Sequence, residues 1–330
     1  MAPKKHSKIK KVSKKTDRTL KDVGVYINML TDFGFKLIFG TEANKDLLID
    51  FLNAVLKIPG GIKDIQYANP ERKGRIKTSP TTIFDLHCIT GNGERIIVEV
   101  QTHSHTNIIE RGVYYVSRAI QEQGKKNKEW NYELCPVYLV SILNFRLDKL
   151  DKIDKVKDKY MSYIQLTDIE THKVFYKKLT LVYIELPRFK KKINELHTII
   201  EKWVFLFKNL HKLKNLPDIY QSEIFKKLFE EAKIANMTPQ KFKKYCQSLK
   251  NLRNMNLVIN EYKNTIARMY AENARILAEK EYFQQAIAEK EYAFQQAITE
   301  KEHFQQAITE KDNALQKALA ELAKYQGNIN

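Results

Sequence analysis

The sequence predicts a mixed α/β domain, with a central sheet flanked by helices, followed by a helical extension that reads as a coiled coil. Three observations predict it. Apolar runs of strand length at 83–89, 96–101, 137–143 and 179–186 alternate with segments of helical period. From Ile193 onward the pattern is almost wholly helical, and the chain ends in four copies of one short motif. At 330 residues it has room for one domain of about 150–200 residues and a further segment.

Residues 1–22 carry Lys4, Lys5, Lys8, Lys10, Lys11, Lys14 and Lys15 and little to bury, so they read as a disordered basic arm that either contacts phosphates or solubilises the chain. Residues 23–215 read as the globular domain. Phe33, Phe35, Leu37, Ile38 and Phe39 ahead of Gly40 predict a helix stopped by glycine, and Leu47, Leu48, Phe51, Leu52, Val55 and Leu56 predict a second, ended by Pro59-Gly60-Gly61. Gly91-Asn92-Gly93 joins two strands as a hairpin turn. Ile109, Val113, Val116 and Ile120 give 108–124 a helical period; 137–143 is a continuous apolar run suited to a strand buried on both faces, and Pro187 stops the strand at 179–186. Residues 216–262 are a helical region, broken at Pro217, with Thr238 as N-cap and Pro239 at the first helical position.

Residues 263–330 form the repetitive segment. Its copies begin at Glu279, Glu289, Glu300 and Glu310 and alternate in length between 10 and 11, so two copies span three heptads. Phe283 and Phe304, Ile287 and Ile308, and Phe294 and Leu315 are each 21 apart, which holds the apolar stripe to 3.5 residues per turn, the period of a left-handed coiled coil and of a homodimer built through it. Lys290 and Lys311 fall on the same seam and weaken it. A single surface helix, or one packed back on the core, is the alternative.

Lys+Arg 57 against Asp+Glu 39 leaves a net charge of +18, which calls for a polyanionic partner, nucleic acid first and anionic lipid second. Cys88, Cys135 and Cys246 are scattered, so neither a disulfide framework nor a zinc site is indicated, and a reducing cytoplasmic compartment fits. No stretch approaches the roughly 18 apolar residues of a membrane span.

The hairpin carries the chemistry. A turn centred on Asn92 pairs Asp85 with Glu99 directly across two antiparallel strands. Period-2 alternation puts Ile96, Val98 and Val100 on one face with Phe84, Leu86 and Cys88, and gathers Asp85, His87, Glu99 and Gln101 on the other. Two carboxylates about 4.5–5.5 Å apart at Cβ repel unless one is protonated or a cation lies between them. Hard oxygen ligands suit Mg²⁺ or Mn²⁺ better than zinc. The alternative is a half-exposed hairpin whose outer face is simply solvated.

Asp85, then Glu99-Val100-Gln101 after a glycine-containing turn, resembles the D…ExQ variant of the PD-(D/E)XK nuclease core found in the Rpn family of recombination-promoting nucleases and transposases. The segments 31–40 (Thr31-Asp32-Phe33-Gly34-Phe35-Lys36 and onward), Leu52-Asn53-Ala54, Arg111-Gly112-Val113-Tyr114-Tyr115, Gly124 followed by Tyr132, Pro136-Val137, Ile142-Leu143-Asn144-Phe145 and Tyr183-Ile184-Glu185-Leu186-Pro187-Arg188-Phe189 are similar in the same order, over roughly residues 26 to 210.

The resemblance implies a restriction-endonuclease-like core and a Mg²⁺-dependent endodeoxyribonuclease acting on DNA. It implies Asp85 and Glu99 as metal-binding acids, the Val100 carbonyl as a further ligand, and Gln101 in the place where many relatives have lysine. Glutamine orients water but brings no charge. Asp32 is the candidate for an additional helix-borne acid, with Glu42 in competition. Lys73 and Arg75 are candidate DNA-backbone contacts, and Arg111 either meets a phosphate or pairs with an acid. A catalytically weak or inactive nuclease-fold protein that binds DNA or acts as a scaffold, assembled through the coiled coil, is the alternative function.

Overall fold

The computed structural model describes residues 24–68, 71–72, 82–83, 85–104, 107–124, 131–147 and 159–327. The basic arm, Lys73, Arg75 and Phe84 lie outside the described residues. The chain divides into two compact units, one up to Asn254 and one from Met255.

In the first unit the elements run α1 (Asp32–Phe39), α2 (Lys45–Leu56), β1 (Ile65–Tyr67), β2 (Glu71–Arg72), β3 (Thr82–Ile83), β4 (Leu86–Thr90), β5 (Arg95–Gln101), α3 (Ile108–Gln121), β6 (Val137–Leu143), β7 (Met161–Thr167), β8 (Val174–Glu185), α4 (Ile199–Asn209) and α5 (Glu223–Ala232). The last helix, α6, is Pro239–Gly327. Six strands make one mixed sheet in the order β1-β4-β5-β6-β8-β7. The hairpin and outer pairs are antiparallel, and β5, β6 and β8 run parallel.

Sequence reasoning placed α1, α2, α3 and β6 closely. It missed β1 and β7 and began β8 at Leu179, whereas that strand starts at Val174. The first hairpin strand also starts later, at Leu86, because Thr82 and Ile83 pair with Arg72 and Glu71 instead.

Both sheet faces are covered. Ile96, Val98, Val140, Ile142, Val182 and Ile184 pack on one side in a core shared with α1, α2, α4 and α5. On the other side Ile97, Val137, Leu139 and Leu181 meet Ile108, Tyr115, Val116 and Ala119 of α3. The helix α5, read from sequence as part of a separate helical region, sinks Phe225, Leu228, Phe229 and Ala232 into the first core.

Two short motifs have local physical reasons. Thr31 caps α1 by accepting from the Gly34 N–H at 3.0 Å, and a Cβ at Gly34 would lie 2.3 Å from the Asn28 carbonyl oxygen, so only glycine fits. Asn53 grips the backbone of Ile62 twice, donating to its carbonyl at 2.9 Å and accepting its N–H at 2.7 Å, which fastens the loop after α2.

Trp203 is 0% exposed, ringed by Phe39, Phe51 and Phe225, with its indole N–H on Asp50 Oδ2 at 2.7 Å. Trp203→Ala is expected to cost about 3–5 kcal/mol. A urea melt followed by circular dichroism reads this as a lower midpoint, and an unchanged midpoint would contradict the packing account.

Candidate active site

The hairpin register decides which side chains meet. Leu86 pairs with Val98, His87 with Ile97, Cys88 with Ile96 and Ile89 with Arg95, the pairing expected for a turn centred on Asn92. One step beyond the last ladder pair, Asp85 and Glu99 face each other and close the strand end through their side chains. The Asp85 N–H donates to Glu99 Oε1 at 3.1 Å, and the Val100 N–H donates to Asp85 Oδ2 at 2.8 Å. Each acid thus takes a backbone proton from the opposite strand, which fixes both carboxylates and leaves one oxygen of each for another partner.

The face that carries them is not solvated. Glu99 is only 3% exposed and His87 is buried, because α3 lies over this side of the sheet. Gly112 permits the approach: a Cβ there would sit 2.8 Å from the Tyr183 hydroxyl and 2.9 Å from Leu139 Cδ2. The close helix brings the Arg111 guanidinium to Glu99 Oε2, Nη2 at 3.3 Å, while its Nε donates to the Tyr115 hydroxyl at 2.6 Å. Gln101 Nε2 donates to the same Glu99 oxygen at 3.1 Å. Glu99, Gln101, Arg111, Gly112, Tyr115 and Ser141 line a small cleft between α3 and the sheet.

Burial and mutual repulsion set the electrostatics. Desolvation pushes the Glu99 carboxyl up to about 8, and the neighbouring charge of Asp85 adds to it; the backbone bond, Arg111 and Gln101 only partly oppose this. Asp85 is also raised by burial, against the Val100 N–H bond and the positive charges of Lys36 and Arg111. Near neutral pH the pair therefore resists carrying two negative charges unless a cation joins it.

Asp32 and Lys36, ion-paired at 2.7 Å one turn apart on α1, both act on the Asp85 carboxyl, Asp32 raising it and Lys36 lowering it. Glu42, the competing acid, is paired to Lys45 at 3.2 Å. Sequence reasoning named Asp32 but missed Lys36 and the Tyr115 hydroxyl as parts of the constellation. The i, i+4 spacing from Asp32 was the available signal for the lysine; nothing local marks Tyr115, which a helix period shows only as core. Among the described residues no group of three or more His, Cys, Asp or Glu side chains gathers as a ready-made metal cage.

Over residues 29–262 the chain matches the model of a family described as PD-(D/E)XK nuclease family transposase. The chain belongs to that family. The matched span takes in α1 through α5 and the start of α6. No curated protein and no solved structure matches the chain. In the family member at hand, no described helix is long and apolar enough to cross a membrane.

Proposed function

We propose that this PD-(D/E)XK family member is a divalent-metal-dependent DNA endonuclease that hydrolyses phosphodiester bonds in recombination or transposition. The observation that carries the reading is the reciprocal clasp of Asp85 and Glu99, two acids each hydrogen-bonded by the other's strand and each raised by burial.

The donor set fits a hard cation. Asp85 and Glu99 would hold Mg²⁺, or Mn²⁺ in its place, with the Val100 carbonyl as a further oxygen ligand. Such an ion supplies Lewis acidity, lowering the pKa of a bound water and offsetting charge on the phosphate.

The chain's own residues do the rest. Gln101, fixed through Glu99, positions the attacking water by hydrogen bonding. It brings no charge itself; Lys36 and Arg111, cations whose fields reach Asp85, supply it. Arg111 keeps 38% of its side chain exposed while touching Glu99, so it can turn from the acid to a phosphate. Asp32 is the auxiliary acid at the rim. Lys73, Arg75 and the remaining positive charge hold the DNA backbone, and free thiols at Cys88, Cys135 and Cys246 suit a reducing cytoplasm. The C-terminal repeats associate two copies as a coiled coil.

Supercoiled plasmid tests this. Nicking is expected with Mg²⁺ or Mn²⁺ and absent in EDTA, and DNA affinity should fall steeply between about 50 and 200 mM salt through counterion release. Nicking that persists in EDTA would remove the metal from the reading, and a flat salt response would remove the phosphate contacts.

A further inference from the structure

The second unit is a continuous helical stretch, and among the described residues most of its large apolar side chains are exposed. Phe283, Ile287, Phe294, Phe304, Ile308 and Leu315 are each more than half exposed. At 1.5 Å per residue the stripe from Met255 to Leu315 runs about 90 Å. A helix of that length with such a stripe calls for a partner helix.

One heptad frame accounts for the whole stripe. With Ile287 and Ile308 at position a and Phe283 and Phe304 at d, every a and d position from Met255 to Ile276 is apolar except Asn273, which is an a position. The same frame puts Lys280 and Lys301 at a and Lys290 and Lys311 at d, one lysine per repeat. Taken alone these lysines weaken the seam, but their neighbours follow a rule. Each lysine at a is preceded by a glutamate at g, Glu279 or Glu300, and each lysine at d is followed by an acid at e, Glu291 or Asp312.

We propose that this face binds a second copy of the chain as a parallel, in-register, two-stranded coiled coil. The proposal rests on the self-association named above and specifies its geometry. In a parallel in-register pair the hole that takes an a side chain includes the partner's preceding g residue, and the hole that takes d includes the partner's following e residue. All four seam lysines then meet an acid of the other chain: Lys280 with Glu279, Lys290 with Glu291, Lys301 with Glu300, and Lys311 with Asp312. Residues adjacent in sequence do not face each other within one helix, so this arrangement has its use only between chains. One sequence supplies both halves of every pair, which is the complementarity of a homodimer. An antiparallel pair sets a against d and g against g, and the match is lost.

The repeats by themselves permit a slip of 21 residues, since lysine and acid recur at that spacing. Asn273 forbids it. In register it meets its own copy, whereas slipped by 21 it would face Phe294, leaving a buried amide without a partner. A single asparagine at an a position specifies oligomer state as well as register. A parallel pair brings the segments that precede the coil to the same end, so two copies of the candidate site are carried together.

The test uses the full chain. Sedimentation equilibrium should give a dimer. In a Cys135→Ser, Cys246→Ser background, Ile308→Cys should form an interchain disulfide under mild oxidation, because residue 308 faces its own copy only in the in-register parallel pair. Glu300→Lys and Lys301→Glu should each weaken the dimer about tenfold, and the double exchange should restore it to within about threefold. A monomer, a trimer, a dimer that Ile308→Cys fails to cross-link, or a double exchange without rescue would each overturn the proposal. A monomeric chain that still nicks plasmid with Mg²⁺ would overturn it while leaving the nuclease reading standing.

Discussion

Asp85→Asn and Glu99→Gln are each expected to reduce Mg²⁺-dependent plasmid nicking by about 10²-fold or more, the scale of removing one group that stabilises developing charge. The amide replacements are the informative ones because they keep shape and acceptor. An asparagine at 85 can still accept the Val100 N–H, and a glutamine at 99 can still accept the Asp85 N–H. Alanine at 85 would open the clasp and leave a backbone donor unpaired, at about 1–3 kcal/mol if buried. Stability should move the other way in the amide variants. Burial and mutual repulsion disfavour the charged forms of both acids, so Asp85→Asn should leave the metal-free protein at least as stable near pH 8, whereas Glu99→Gln also sets an amide NH2 against the Gln101 and Arg111 donors and gains less. Loss of activity with a retained or higher Tm marks a functional pair. Full activity in either variant would remove that acid from the site.

The second large effect is on pH dependence. In the metal-free fold the Glu99 carboxyl titrates near 8, against an ordinary value near 4.3 in the unfolded chain. Between those values the folded protein keeps a proton that the unfolded chain has lost. Stability from this group is complete below about pH 4 and is lost as pH rises toward 8, with a slope approaching 1.4 kcal/mol per pH unit. Asp85, raised by the same burial, acts in the same direction. Other acids titrate too, so the readout is a difference: urea midpoints of wild type should fall relative to Glu99→Gln between about pH 5 and 8. Mn²⁺ needs the deprotonated pair, so its stabilisation of wild type should grow over the same interval and be absent in Asp85→Asn. A Mn²⁺ effect of equal size at pH 5.5 and 8, or one that survives Asp85→Asn, would place the ion elsewhere.

Much of the first unit is legible in the sequence because its elements have strong local periods. The three early helices show apolar spacing that ends at Gly40, at Pro59-Gly60-Gly61 and near Gly124, and β6 is one unbroken apolar run. The missed strands are those with weak local signals. β1 has three residues, and β7 with the first half of β8 exposes much of its surface, so neither shows the run of carbon that marks a buried strand. Beyond Pro217 the helical period shows that α5 has an apolar face but not what it packs on; Phe225, Leu228 and Phe229 are buried in the same core as α1 and α2. Several residues of the family pattern are structural: Glu185 accepts the Leu147 N–H at 2.7 Å and pairs with Arg188 at 3.1 Å, and Asn53 clamps Ile62.

The sequence alone determined that Asp85 and Glu99 oppose each other. A two-residue side-chain period and a turn centred on Asn92 leave no other parity, and both are properties of neighbouring residues. Tertiary structure decided what that opposition means. The cover of α3, admitted by Gly112, removes water from the acid face, brings Arg111 to Glu99 and raises the carboxyl. The charges of α1, about fifty residues earlier in the chain, act on Asp85 only because the fold returns that helix to the hairpin's open end. Register is local geometry, whereas desolvation and charge are sums over whatever the whole fold brings near.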